Sequence, residues 1–105
     1  MNNSRVQRRK IGSSDLEVGV VGVGTWQWGD KRYWAYGRTH GHDDVSEAFA
    51  AAREAGCTIF DTAEIYGRGE SERILGPLAA NSRGTLVATK YLPSPLRWRT
   101  RSVDE

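Results

Sequence analysis

The pattern of apolar and polar positions changes character several times along the chain. RRKIGSSDLEVG holds two short segments around Gly12, Ser13, Ser14 and Asp15, residue types that favour turns, and this predicts a hairpin over 7–20. VGVVGVGTW then strings valine and glycine together without polar alternation, as in a strand buried on both faces of a parallel sheet. In DDVSEAFAAAREAG, Val45, Ala48, Phe49, Ala52 and Ala55 recur at helical spacing. Asp44 is the expected N-cap, with Glu47 completing an acidic capping box and Gly56 suited to the position just past the end. CTIFD is a short β-branched and aromatic run, and SERILGPLAANS reads as a second helix, capped by Ser71 and kinked or shortened by Pro77. TLVATK is a third strand-like run, YLPSPLRWRTR an irregular basic segment, and SVDE, with Ser102 and Glu105 in capping-box spacing, the start of a further helix. Hairpin, β, α, β, α, β is the alternation of an α/β fold with parallel strands and right-handed crossovers.

Composition narrows the setting without naming a chemistry. A chain of 105 residues with 38% hydrophobic positions is one ordinary domain or a piece of a larger one, and disorder throughout is not expected. A net charge of +2 favours neither nucleic acid nor a membrane surface. The basic clusters RVQRRK and RWRTR, with Trp98 between arginines, could stack and charge-pair with a nucleic-acid strand. Asp15, Glu17, Asp104 and Glu105 offset them, so no nucleic-acid partner is expected. Cys57 is the single cysteine, which rules out an intrachain disulfide, fits a reducing compartment and is expected in the core. Asp15 and Glu17 interrupt the apolar start, and nothing approaches a membrane span, so the reading is cytoplasmic with no membrane partner. His40 and His42 lack a third donor in their polar loop; they read as solvated, and no metal is assigned. GRG at 67–69 lacks the spacing of a dinucleotide fingerprint.

The chemistry sits at the strand ends. In a parallel sheet the loops that follow the strands share one end, where sites are built. Asp61 ends the second strand and Lys90 the third. Alternation puts Cys57, Ile59 and Asp61 on one face and Leu86, Ala88 and Lys90 on one face, on strands about 4.8 Å apart. If both sets face inward, Asp61 and Lys90 can pair, and Tyr66, held by a loop closing at Gly67, can bring its hydroxyl near the ammonium. A lysine cation stabilises a phenolate, so a tyrosine beside one gives up its proton more readily and can serve as a general acid.

GVGTWQWG (22–29), FDTAEIYG (60–67), SERILG (71–76) and ATK (88–90) together resemble the aldo-keto reductases, which reduce carbonyls with NADPH on a (β/α)8 TIM barrel. The resemblance runs from about Lys10 to Glu105. It implies the N-terminal part of such a barrel within 1–105: the hairpin of 7–20 closing the floor, about three βα steps over 21–101, and the start of the next helix at 102–105. By the same resemblance Tyr66 is the proton donor, Lys90 assists it and Asp61 supports Lys90. Gly24, Thr25 and Trp26, with Asp61, would lie beside the nicotinamide. Trp26 and Trp34 would border a small carbonyl substrate, and the loop DKRYWAYGRTHGHD, with Tyr33, Trp34 and Tyr36, would form its mouth. The family's catalytic histidine falls on a strand beyond residue 105, and His40 and His42 are in the wrong loop to replace it. A full barrel needs about 250 residues, so this chain is expected to be truncated and inactive alone. Its open sheet edges could drive self-association. The alternative is a non-catalytic barrel fragment serving as a binding or oligomerisation module.

Overall fold

The computed structural model describes residues 5–93; the basic stretch from Ser94 onward and the helix start at 102–105 lie outside the described residues. The expected hairpin is present, with β1 (Arg8–Lys10) antiparallel to β2 (Glu17–Gly19) and Arg9 opposite Val18. Its turn is closed by the Ile11 N–H donating to the Leu16 carbonyl at 2.8 Å and the Ser14 hydroxyl donating to the Ile11 carbonyl at 2.6 Å. The hairpin docks where the first helix turns into the second parallel strand: Val6 N–H donates to the Ala55 carbonyl at 2.8 Å and Gly19 N–H to Thr58 Oγ1 at 3.0 Å. A Cβ on Gly19 would fall 2.2 Å from the Gly56 carbonyl oxygen, so any side chain there lifts the hairpin off.

The remaining strands, β3 (Val23–Gly24), β4 (Ile59–Asp61) and β5 (Leu86–Ala88), form one parallel sheet in the order β3-β4-β5. Helix α1 (His42–Glu54) connects the first pair and α2 (Glu70–Ala80) the second. β3 is shorter and more open than its valines predict: Val20 and Val21 are each about half exposed. The apolar run presupposes cover on both faces, but β3 pairs only with β4 among the described strands. Among the described strands β5 likewise pairs on one side only.

Both helix starts differ from expectation. α1 begins at His42 behind Gly41, and Asp44 acts from the third helical position, its carboxylate accepting the Gly41 N–H at 2.8 Å. The acid therefore satisfies an N-terminal donor from inside the helix rather than as its cap. Gly56 follows the C-cap Ala55 with φ +97°, as its placement suggested. α2 is capped by Gly69, and Ser71 is a fully buried residue of its first turn. Pro77 does not end α2, which runs to Ala80, about one turn further.

The core lies between the sheet and the two helices: Phe60 is fully enclosed, with its ring centroid 4.7 Å from Phe49 and 6.1 Å from Trp28. Val45, Ile74 and Leu75 complete the cluster, and Cys57 is buried as expected. With Phe60 turned to the helices, alternation turns its neighbour Asp61 to the opposite face, where it is exposed.

Candidate active site

Asp61 and Lys90 meet as the sequence suggested. The Lys90 ammonium lies 2.9 and 3.0 Å from the two Asp61 carboxylate oxygens and donates to the Thr62 carbonyl at 2.7 Å. The β4–β5 pairing continues past the strands through Thr62 N–H to the Ala88 carbonyl at 2.8 Å and Glu64 N–H to the Lys90 carbonyl at 2.9 Å. Lys90 is thus held by its backbone against the segment that leads to Tyr66. Tyr66 opens a 3₁₀ turn, Tyr66–Gly69, and its ring centroid is 5.4 Å from Lys90 Nζ. The turn is fixed at Gly67, which has φ +58° and sits so close to the preceding loop that a Cβ would lie 2.8 Å from the Gly29 carbonyl oxygen. Trp26 stacks on Tyr66, 5.9 Å between centroids and 24° between planes. An acid, a cation and a phenol therefore converge at the C-terminal ends of the strands.

The hydrogen bond from Asp61 lifts the Lys90 pKa above its ordinary 10.5, with the charge of Asp61 and the Tyr66 side chain adding to this and partial desolvation opposing it. A lysine whose folded pKa is raised stabilises the fold fully below its unfolded value and loses that contribution as pH rises through the folded one. Because the pair is about half exposed, the effect is small and screened by salt. The unfolding midpoint of Lys90→Met is expected to fall below wild type at neutral pH and to approach it as pH rises past the ordinary lysine range, where the ammonium loses its proton. A gap that persists undiminished in alkali would mean that packing of the lysine stem, rather than the ion pair, is the source.

Ser71 is the residue the sequence reading missed. Its hydroxyl is buried 2.9 Å from Thr25 Oγ1, donates to the Thr25 carbonyl at 2.8 Å and accepts from Thr62 Oγ1 at 3.1 Å. One side chain thus ties the ends of β3 and β4 to the start of α2, fixing the backbone on which Trp26 and Tyr66 stand. A threonine directly after each of two strand ends was the available signal. Ser71→Ala leaves buried hydroxyls short of a partner and is expected to cost about 1–3 kcal/mol, read from denaturant unfolding. Full stability in that variant would contradict the network.

Of the positions assigned to a cofactor, Asp61 is held by Lys90, and Thr25 is fully buried with its hydroxyl also donating to the Asp61 carbonyl at 3.0 Å. The Thr25 backbone is engaged as well, the N–H donating to the Asp61 carbonyl at 3.0 Å and the carbonyl accepting from Trp28 N–H at 3.0 Å and from the Ser71 hydroxyl at 2.8 Å, so Thr25 supports the strand end from within. Gly24 and Trp26 differ: a Cβ on Gly24 would meet no atom within 4 Å, and Trp26 is about 41% exposed. That strand end is therefore left open beside an exposed indole. Beside it lies a cleft of about 390 Å³ bordered by Trp26, Tyr33, Ile65 and Tyr66, with Arg32 and Arg68 on its flank. Trp34 is not in that wall; it meets Trp26 edge-on at 5.7 Å and buttresses it. Tyr36, expected at the mouth, packs instead against the core, and burial, then the nearby Glu70 charge, pushes its phenol up from its usual value. His40 is not free in solvent: its ring nitrogens lie 2.8 Å from the Gln27 carbonyl and 2.9 Å from Thr39 Oγ1.

A parallel sheet with its polar residues gathered at the C-terminal strand ends is where α/β folds, βα barrels among them, build their active sites. The model of the aldo/keto reductase family matches residues 20–103, and the chain belongs to that family. Similar curated proteins include a chloroplastic pyridoxal reductase of Arabidopsis thaliana, 38% identical over 90% of this chain and 28% of the relative. An uncharacterized oxidoreductase of Mycobacterium bovis is 45% identical over 73% of this chain and 24% of its own length. The chain thus spans about a quarter of these relatives. Among solved structures, a putative aldo-keto reductase from Pseudomonas aeruginosa superposes with a TM-score of 0.65 and 32% identity over 78% of this chain and 32% of its own. A thermostable aldo-keto reductase in complex with the inhibitor epalrestat gives 0.64 and 25% over 82% of this chain and 31% of its own. The hairpin and parallel α/β sheet are those of the aldo-keto reductase (β/α)8 barrel.

Proposed function

We propose that these residues form the proton-donating side of an NADPH-dependent carbonyl reductase site. The observation that carries the reading is Lys90, whose ammonium bridges the Asp61 carboxylate and lies 5.4 Å from the Tyr66 ring centroid. Bound NADPH would supply the hydride to the carbonyl carbon. Tyr66 gives its phenolic proton to the carbonyl oxygen as negative charge develops there, so the product is an alcohol. Lys90 stabilises the oxygen of Tyr66 as the proton leaves, and Asp61 with the Thr62 carbonyl keeps the ammonium aimed. Gly24 leaves room for the nicotinamide and Trp26 walls it.

Residues 5–93 contribute three parallel strands, so turnover is expected where further strands close the barrel, and residues 1–105 alone are expected to be inactive. Open edges on β3 and β5 favour self-association. A cytoplasmic setting agrees with the buried single thiol; among the described residues no helix is long and apolar enough to cross a membrane.

The test is an NADPH fluorescence titration of the 105-residue chain, with light scattering in the same buffer and carbonyl-dependent NADPH oxidation as the second readout. Saturable binding by a monodisperse species, or turnover once the barrel is closed, supports the reading. A closed, folded barrel that binds NADPH yet oxidises none with any aldehyde or ketone overturns it in favour of a binding module.

A further inference from the structure

Two arginines border the Tyr66 cleft, and neither has an acidic partner among the described residues. The Arg32 guanidinium lies 5.3 Å from the Tyr33 ring centroid. Arg68 stands between Gly67 and Gly69 with φ +57°, a left-handed conformation that any Cβ disfavours. The nearby carboxylates are already engaged. Asp30 is 4% exposed, its Oδ1 accepting the backbone N–H groups of Arg32 at 2.9 Å and Tyr33 at 3.2 Å. Glu70 is bridged by Arg73 at 2.9 Å, and Asp61 by Lys90.

The cleft therefore combines three parts: apolar walls from Trp26, Tyr33 and Ile65, the phenol of Tyr66, and two guanidinium-bearing side chains set against one acid, Asp30. Its local balance of one positive charge matches a monoanion, and a guanidinium's planar fork matches a carboxylate in particular. We propose that the substrate is an aldehyde or ketone that also carries a carboxylate, its apolar body lying between Trp26, Tyr33 and Ile65 and its carboxylate held by Arg32 and Arg68. The carbonyl half of this rests on the reductase reading above; the anion half rests on the cleft alone.

The cleft's own indole, Trp26, provides the signal for a test that needs no turnover. Tryptophan fluorescence is titrated with 4-carboxybenzaldehyde and with its neutral methyl ester. The acid is expected to bind about tenfold more tightly or better, and added salt should weaken the acid alone. Arg68→Asn, which keeps a residue type tolerant of left-handed backbone, and Arg32→Gln should each reduce that preference and leave ester binding unchanged. Equal affinity for acid and ester, or a preference that survives both substitutions together, overturns the proposal. NADPH oxidation by the barrel-closed protein with the same probes separates the two layers. Arginine-dependent binding without reduction of either probe leaves the anion site standing and removes the reductase reading; reduction of both probes with equal KM and equal affinity does the reverse.

Discussion

Replacing Tyr66 by Phe is expected to lower kcat for carbonyl reduction by about 10²–10⁴-fold, the usual worth of a positioned general acid, while leaving the fold and the KM nearly unchanged. The substitution removes one oxygen and nothing else. The ring keeps its stack on Trp26 at 5.9 Å and its place beside Lys90, and the turn remains pinned by Gly67. The Asp61–Lys90 pair also persists, because its geometry is set by the Thr62 carbonyl and the β4–β5 backbone bonds rather than by the phenol. Steady-state NADPH oxidation in the barrel-closed protein reads the effect, and the thermal midpoint serves as the control for folding. A loss smaller than about tenfold with the midpoint unchanged would mean that another group, or water, delivers the proton. A large loss accompanied by a falling midpoint would point to a structural role for the hydroxyl.

The site's central pair was legible because it depends on two local rules. Strand alternation fixes the face of Asp61 once Phe60 is assigned to the core, and a parallel neighbour one strand away brings Lys90, two residues past Ala88 and on the same face, into reach. Ser71 was not legible by the same means. A serine at the start of a helical pattern is by local preference a cap, and only Thr25, 46 positions away, reveals it as an interior tie. The aromatic loop shows a different limit. Tyr33, Trp34 and Tyr36 have no shared periodicity, and Ala35, at φ +56°, reverses the chain between Trp34 and Tyr36. That reversal sends Tyr36 towards the core while Tyr33 stays at the cleft. The valine-rich run failed for a tertiary reason: a pattern suited to two buried faces becomes an exposed edge where only one neighbour is present.

Phe60→Ala is expected to be the most damaging single change to the fold, costing about 3–5 kcal/mol against a total that for ordinary domains is only about 5–15 kcal/mol. Phe60 is fully buried and its ring meets Phe49 and Trp28, so truncation opens a cavity bounded by α1 and the loop after β3, which cannot both collapse into it. The consequence reaches the site through one peptide bond. Phe60 holds its face of β4 against the helices, and that anchoring is what presents Asp61 to Lys90 on the other side. Urea unfolding of wild type, Phe60→Ala and Phe60→Leu measures the first effect. Leucine, which keeps much of the volume, should recover most of the loss, as size-conserving core exchanges do. The second effect is read by adding Lys90→Met to each background. If Phe60 orients Asp61, the small stability cost of losing Lys90 should shrink in Phe60→Ala and return in Phe60→Leu. An unchanged cost in all three would mean that the backbone bonds to β5 alone keep Asp61 in place, and that the core and the site are energetically separate.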